Sequence, residues 1–263
     1  IIDWITHALA WVGYRLHPEA NPTRYGVDLI RNVPYTNSGD SAHTLDIYRP
    51  KADKPLPTLM YIHGGGFTVC SKNTHQIFAL VFSSQKYVVF NVNYRLAPTH
   101  RYPAAIEDVC TSLLWILDHA KEYGADPDQL VIAGESAGGN LTAALSYAIT
   151  HRREEPFARA VFDRAPHVRA VLPIYGIHDL NDIPRFWRNP EKAKRMSWAV
   201  KGELQWCADA YVGDHPETAP LAHPLVRFSE PPTNGSRPLP PFFIPVGTAD
   251  PLLDDSRRLH AAI

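Results

Sequence analysis

The chain has 263 residues, of which 45% are hydrophobic and 20% charged, and its formal net charge is −1. This composition is typical of a globular protein with one large core or a core and a lid. The low net charge disfavours nucleic acid and anionic membrane surfaces as partners, and no apolar stretch approaches the roughly 18 residues of a membrane span. Three cysteines (Cys70, Cys110 and Cys207) are too few for a disulfide framework, so we expect a reducing, cytoplasmic compartment.

Helical and extended patterns follow one another along the chain. Residues 1–17 space their apolar side chains like one face of a helix. Extended segments are predicted at 27–33, 44–48, 57–63, 87–94, 130–134, 168–175 and 242–247. Helical patterns at 104–119 and 139–150 separate several of them. Apolar strands that alternate with helices indicate an α/β fold with a mostly parallel sheet, covered by helices on both faces.

Residues 177–240 interrupt this alternation. They hold no convincing strand but several aromatic residues, and we predict helices near 191–212. A long excursion between two strands is usually functional, so we interpret 177–240 as a helical cap insertion joined by residues 1–25, with 26–176 and 241–263 as the core. The alternative is that this segment only adds packing against one face of the sheet. The aromatic residues either line the pocket or form the core of the cap: Trp11, Phe186, Trp187, Trp198, Trp206 and Tyr211.

A predicted strand ends in Gly134-Glu135-Ser136-Ala137-Gly138, and a helical pattern follows it. This G-x-S-x-G arrangement between strand and helix is the context of a nucleophile elbow. The tight turn requires small residues two positions before and after the serine, and it places the hydroxyl at the carboxyl edge of the sheet, where ligands bind in open α/β folds. Ser136 is therefore the candidate nucleophile.

A second glycine cluster, His63-Gly64-Gly65-Gly66, directly follows an earlier strand. Acyl transfer develops negative charge on the former carbonyl oxygen, and preorganised N–H donors stabilise it. We predict that Gly64 and Gly65 supply two donors and that Ala137, at the positive end of a helix, supplies a third. Gly66 is predicted to let the loop bend, and His63 to brace the loop by hydrogen bonds.

These motifs make the sequence similar to the hormone-sensitive-lipase-like family of α/β-hydrolase esterases. The matching segments are "HGGGF" (63–67), "YRLAPTHRYPAAIEDV" (94–109), "GESAGGN" (134–140) and "GTADPLLDD" (247–255). The resemblance implies an α/β-hydrolase fold, a helical cap and serine carboxylesterase activity. It also implies that Asp250 is the triad acid, a role that its place just after an apolar strand suits. Thr99 departs from the family, which commonly has an acidic residue there.

The catalytic histidine is the largest departure from the family pattern. Asp254 and Asp255 are rival acids, but we expect them to be solvated on a helix. His260 is the only histidine after Asp250, and it falls in a helical pattern that leads away from the sheet edge. His178 and His223 border the predicted cap and carry little weight as bases. We therefore expect the base, with a final strand and helix, beyond Ile263; the alternative is a natural loss of the base.

The resulting hypothesis is a serine esterase acting on short- to medium-chain carboxylic esters, with no metal or organic cofactor. A non-catalytic small-molecule receptor on the same fold, which a natural loss of the base would indicate, is one alternative, and an amidase or peptidase is another. The expected partner is a small-molecule ester, without nucleic acid or a membrane span, and a homodimer remains open.

Overall fold

The computed structural model describes residues 20–188, 196–213, 216–231 and 235–263. The predicted N-terminal helix at 1–17, including Trp11, lies outside these residues. Residues 191–195, at the start of the helical pattern predicted near 191–212, also lie outside the described residues.

Six strands form one mixed sheet in the order β1-β2-β4-β3-β5-β6. Strand β2 pairs antiparallel with β1 and β4, whereas the pairs β3–β4, β3–β5 and β5–β6 are parallel. All six strands coincide with segments predicted from the sequence, and the predicted α/β architecture is confirmed. The strands are Val27–Pro34 (β1), Thr44–Pro50 (β2), Leu56–Ile62 (β3), Val88–Val92 (β4), Ala125–Glu135 (β5) and Val168–Ile174 (β6).

The described α-helices accompany this sheet, and those predicted at 104–119 and 139–150 are confirmed. Helices α1, α4, α5 and α7 were not predicted, although Pro156 at the first position of α4 is a recognisable helix-start signal. The helices are Gln76–Ser84 (α1), Ala104–His119 (α2), Ala137–Thr150 (α3), Pro156–Arg164 (α4), Arg185–Arg188 (α5), Trp198–Val212 (α6), Pro224–Phe228 (α7) and Leu253–Ala262 (α8).

Alternation along β3 divides the core between the two sheet faces. Met60 and Ile62 belong to the larger cluster, which helices α2, α3 and α4 cover. Leu59 and Tyr61 belong to the smaller cluster, which includes Ala79 and Leu80 of α1. Successive residues of a strand face opposite sides of the sheet, so a strand buried on both faces reads as a continuous apolar run.

The predicted strand at 242–247 is wrong as a regular strand, because it forms only one isolated bridge, between Phe242 and Val171. Around that bridge the backbone bonds are those of a parallel pair: Val171 donates to Pro241, and Phe243 donates to Val171. The next two ladder bonds would need N–H groups from Pro173 and Pro245, which proline lacks. The stretch therefore runs beside β6 without a continuous ladder.

Residues 177–240 contain helices and short 3₁₀ turns, without a strand, in the part that the structure describes. The buried side chain of Asn140, in α3, donates to the carbonyl oxygens of Ile177 (2.7 Å) and Ala222 (2.9 Å). This segment is therefore fastened to the helix that follows Ser136, whereas its role as a cap stays a prediction. Among the described helices, none has both the length and the apolar character that crossing a bilayer requires.

Candidate active site

Ser136 occupies the turn between β5 and α3 with φ 54° and ψ −117°. A non-glycine residue with positive φ is uncommon, and such strain persists only where the surroundings enforce it. The N–H of Ser136 donates to the carbonyl of Ile174 in β6 (3.0 Å), and the carbonyl of Ser136 accepts from Asn140 in α3 (3.1 Å). The turn is thereby held from both sides, with the half-buried serine at the carboxyl end of the parallel strands.

The two glycines of the G-x-S-x-G motif are required by crowding. A Cβ atom on Gly134 would lie 2.6 Å from the carbonyl oxygens of both Ile62 and Gly138. A Cβ atom on Gly138 would collide with the same Ile62 oxygen and approach that of His63 to 2.7 Å. These neighbours are backbone atoms, which cannot swing aside as a side chain can. The structure thus gives the physical reason for small residues on either side of Ser136.

Gly64 does not offer its N–H to the cavity, so its predicted role as an oxyanion donor is wrong. This N–H donates instead to Oε1 of Glu135, at 2.5 Å. A Cβ atom on Gly64 would also collide with that carboxylate and lie 2.7 Å from the Glu135 carbonyl oxygen. The first glycine of the run is therefore needed so that the loop can approach Glu135.

Gly65, a predicted donor, and Gly66, which was predicted only to let the loop bend, lie side by side at the cavity. Both line the cavity that contains Ser136, and within the described residues neither N–H donates a hydrogen bond. Their φ angles of 109° and 58° lie where glycine is favoured. Ala137 is the first residue of α3, and the first N–H groups of a helix have no intrahelical partner. These three N–H groups are the available donors beside Ser136.

His63 makes its contacts within the loop. Its ring is buried and stacks on Tyr94 with centroids 4.3 Å apart, and its Nδ1 lies 2.8 Å from the Gly64 carbonyl oxygen. The Tyr94 hydroxyl donates to the His63 carbonyl oxygen at 2.7 Å. His63 therefore occupies a bracing position rather than that of a base.

A cavity of about 1000 Å³ opens above Ser136. Its far wall is helix α6, from which Trp198, Trp206 and Cys207 contribute. Trp198 and Trp206 are 86% and 52% exposed, so their indole surfaces are available to a ligand. Phe186 and Tyr211, which were predicted with them, are buried, and Tyr211 stacks on Phe67 at 4.0 Å.

Asp250 lines a separate cavity, together with Phe186, Val200 and Arg257. Its Oδ1 accepts from the N–H of Leu252 at 2.7 Å. Burial, followed by the negative charges of Glu135 and Asp250, raises the pKa of Tyr175 to about 12. Both carboxylates therefore lie within electrostatic range of one phenol at this edge of the sheet, although Asp250 and Ser136 do not share a cavity.

The rival acid Asp255 is buried, so the expectation that it is solvated is wrong. Arg185 binds it through Nε (3.1 Å) and Nη2 (2.5 Å), and the N–H of His178 donates to it at 2.8 Å. Asp255 and Arg185 therefore form a structural ion pair, in which both carboxylate oxygens already have partners. Asp254 is half-buried in the same helix and lines the cavity of Asp250.

The histidines considered as bases lie away from the Ser136 cavity. His260 is exposed on α8, as expected for a helix-surface residue. His178 is completely buried, and its two ring nitrogens have no hydrogen-bond partner among the described residues. His223 is also buried, and its Nδ1 accepts from the N–H of Leu180 at 3.0 Å. The described part of the chain therefore places no histidine with Ser136 in the cavity.

Two residues at the site carried no recognised signal in the sequence. Glu135 occupies a variable position of the G-x-S-x-G pattern, yet it binds the glycine loop. Cys207 lies against Gly66, where an added Cβ would collide with its Sγ. Burial raises the pKa of the Cys207 thiol to about 11, so this thiol is protonated at neutral pH and does not compete with Ser136 as a nucleophile.

Comparisons with known proteins agree with this fold. A family model described as the alpha/beta hydrolase fold matches residues 59–263. Carboxylesterase NlhH of Mycobacterium tuberculosis is 32% identical over 204 residues, which are 76% of this chain and 58% of that protein. The hyperthermophilic esterase of Pyrobaculum calidifontis is 26% identical, with a TM-score of 0.69 over 99% of this chain and 76% of that one.

A second solved structure supports the fold alone. Esterase B of Lactobacillus rhamnosis superposes with a TM-score of 0.73 over 99% of this chain and 80% of that chain, at 20% identity. The chain spans 58% of the length of NlhH, so that comparison covers only part of the relative.

Proposed function

Because the chain belongs to the hormone-sensitive-lipase-like family of α/β-hydrolases, we propose that it is a serine carboxylesterase whose nucleophile is Ser136. The observation that carries the proposal is the common cavity of Ser136, Gly65 and Gly66, in which neither glycine N–H has a partner among the described residues. A hydroxyl beside preorganised donors is the arrangement that acyl transfer requires.

In the proposed reaction, the Ser136 oxygen attacks the ester carbonyl, and the former carbonyl oxygen accepts hydrogen bonds from Gly65, Gly66 and Ala137. A histidine takes the serine proton and returns it to the leaving alcohol, and Asp250 orients that histidine. Water then attacks the carbonyl of the acyl-enzyme; the histidine takes the proton of the water and returns it to the Ser136 oxygen, which leaves as the free acid is released.

The proposed substrates are esters with short to medium acyl chains. Support comes from the cavity of about 1000 Å³, which is within the range of small-molecule sites. The apolar side chains of Val69, Trp198 and Trp206 line it. Apolar surface buried against such a wall contributes about 25 cal/mol per Å² to binding.

A panel of p-nitrophenyl esters with acyl chains from acetate to palmitate tests the proposal on the full-length protein. We expect hydrolysis that is fastest for the shorter half of the panel and that Ser136→Ala abolishes. Equal rates for wild type and Ser136→Ala would exclude the esterase and favour a binding protein. A preference for the matched p-nitroanilides over the esters would instead identify an amidase.

A further inference from the structure

The carboxylate of Glu135 is buried, with 4% of the residue exposed, and it binds three separate parts of the fold. The hydroxyl of Tyr61, in β3, donates to Oε2 at 2.7 Å. The N–H of Gly64 donates to Oε1, and Nε2 of His75 lies 2.9 Å from the same oxygen. His75 immediately precedes α1, so strand, loop and helix start meet at one carboxylate.

The other polar groups at the start of the glycine loop are also committed. The His63 carbonyl oxygen accepts from Tyr94, and the Gly64 carbonyl oxygen is 2.8 Å from Nδ1 of His63. The Gly65 carbonyl oxygen accepts from the N–H groups of Thr68 and Val69, both at 3.0 Å. The Gly64 N–H binds Glu135, so each of these groups already has a partner within the fold. The next two N–H groups, of Gly65 and Gly66, are the ones left for a ligand.

We propose that Glu135 is a positioning residue, which fixes the oxyanion-binding N–H groups relative to the nucleophile. This inference rests on the proposed esterase function. Glu135 is covalently adjacent to Ser136 and hydrogen-bonded to Gly64, so one residue connects the hydroxyl to the start of the loop. Its own atoms do not touch the substrate. A hydrogen bond to an ionised acceptor is about twice as strong as a neutral one, which suits a contact that must hold a glycine-rich segment.

The main test compares Glu135→Ala with Glu135→Gln in the full-length protein. Alanine removes the acceptor for Gly64, whereas glutamine keeps a neutral acceptor of the same length. We expect Glu135→Ala to lower kcat about 100-fold, since loss of one oxyanion donor costs 10²- to 10³-fold. KM should change less than about threefold, because ground-state binding does not use the oxyanion donors. Glu135→Gln should restore kcat to within about tenfold of wild type.

A second measurement separates positioning from general damage. An alkyl trifluoromethyl ketone adds to the serine, and its oxyanion occupies the same N–H groups as the transition state. Its inhibition constant should rise in Glu135→Ala by a factor similar to the loss in kcat. The matched methyl ketone, which stays a ground-state analogue, should bind wild type and variant equally. Equal losses for both ketones, or an unchanged kcat in Glu135→Ala, would overturn the proposal.

Asp46 provides a matched control, because it is an equally buried carboxylate that holds Lys72 (2.7 Å) and the N–H of Asn32 (2.8 Å) away from the cavity. Asp46→Asn should lower the unfolding temperature without changing kcat of the folded fraction. A 100-fold loss of kcat in this variant would also overturn the proposal, because any buried carboxylate would then matter.

Two further variants complete the design. If Glu135→Ala does not fold, the double variant Tyr61→Phe, His75→Ala tests the same anchor, since it removes two of the three groups that orient the carboxylate. We expect kcat to fall about tenfold, and an unchanged kcat would overturn the inference. Wild-type activity equal to that of Ser136→Ala would instead overturn the proposed function, so the two failures are distinguishable.

Discussion

Gly138, the second residue of α3, packs directly on the carbonyl oxygen of Ile62, the last residue of β3. The same glycine approaches the His63 carbonyl oxygen, so the helix that follows the nucleophile and the strand that precedes the glycine loop are in backbone contact. Beside the Glu135 carboxylate, this backbone contact also restricts the separation between Ser136 and residues 65–66.

Replacing Gly138 with alanine should destabilise the fold by about 3 kcal/mol, the upper end of the cost of overpacking a core. The added methyl group meets backbone, which has little freedom to move. Gly202 is the control: it lies in α6, and a Cβ there would meet no atom within 4 Å. Gly202→Ala should raise stability by about 0.5–1 kcal/mol through helix propensity. Urea unfolding checks both variants, and equal effects would contradict the contact.

Asn140→Ala should cost about 2–6 kcal/mol of unfolding free energy. The substitution leaves the buried carbonyl oxygens of Ile177 and Ala222 without their donor, and each unsatisfied group costs about 1–3 kcal/mol. Asn73, which is exposed on a loop, is the matched control, and Asn73→Ala should stay within about 0.5 kcal/mol of wild type. A similarly small effect of Asn140→Ala would mean that the bonds from α3 do not hold the 177–240 segment.

His178 should make stability depend on pH. Burial, followed by the nearby Arg185 cation, lowers the pKa of His178 to about 3, whereas an unfolded histidine titrates near 6.5. The unfolded state therefore binds the extra proton between these values, and stability is lost as pH falls below about 6.5. From pH 7 to pH 5 this linkage amounts to about 2 kcal/mol.

Urea unfolding of His178→Leu at pH 7 and pH 5 measures that contribution. The drop in stability between the two pH values should be about 2 kcal/mol smaller in the variant than in wild type. His260→Leu, at an exposed position of α8, is the control. If both variants reduced the drop equally, burial of His178 would not be its source.

Trp198 and Trp206 should contribute to substrate binding rather than to the chemical step. Removing an indole from the cavity wall loses apolar contact made equally in the ground and transition states, so Trp206→Ala should raise KM for p-nitrophenyl hexanoate about tenfold with little change in kcat. Trp115, which stacks on His119 in α2 outside the cavity, is the control for loss of a tryptophan. A fall in kcat with unchanged KM would contradict this assignment.

The sequence alone predicted the sheet, the two long helices and the nucleophile turn, because strand and helix periodicity and the glycine spacing are local signals. It placed Gly64 among the donors because the sequence does not show which hydrogen-bond partner the N–H of each glycine has in the fold. Only the fold shows that Glu135, 71 positions along the chain, takes that N–H. Asp255 was misjudged for the same reason, since its partner Arg185 lies 70 positions away.

The prediction of a regular strand at 242–247 was wrong because of prolines that the sequence itself contains. Pro173 and Pro245 each lack an N–H, but the loss interrupts the ladder only because the register beside β6 makes these two residues the next donors. The prolines could therefore be seen in the sequence, whereas the register that makes both of them interrupt the same ladder could not.

The three adjacent glycines at 64–66 are each constrained on different grounds. One admits a carboxylate, the next requires a backbone conformation near φ 109°, and the last faces a sulfur atom. A saturation library at these positions, selected only for soluble expression, would therefore recover glycine before any turnover is assayed. The glycine run at 64–66 resembles a catalytic motif, but much of it is required by steric crowding from the neighbouring residues.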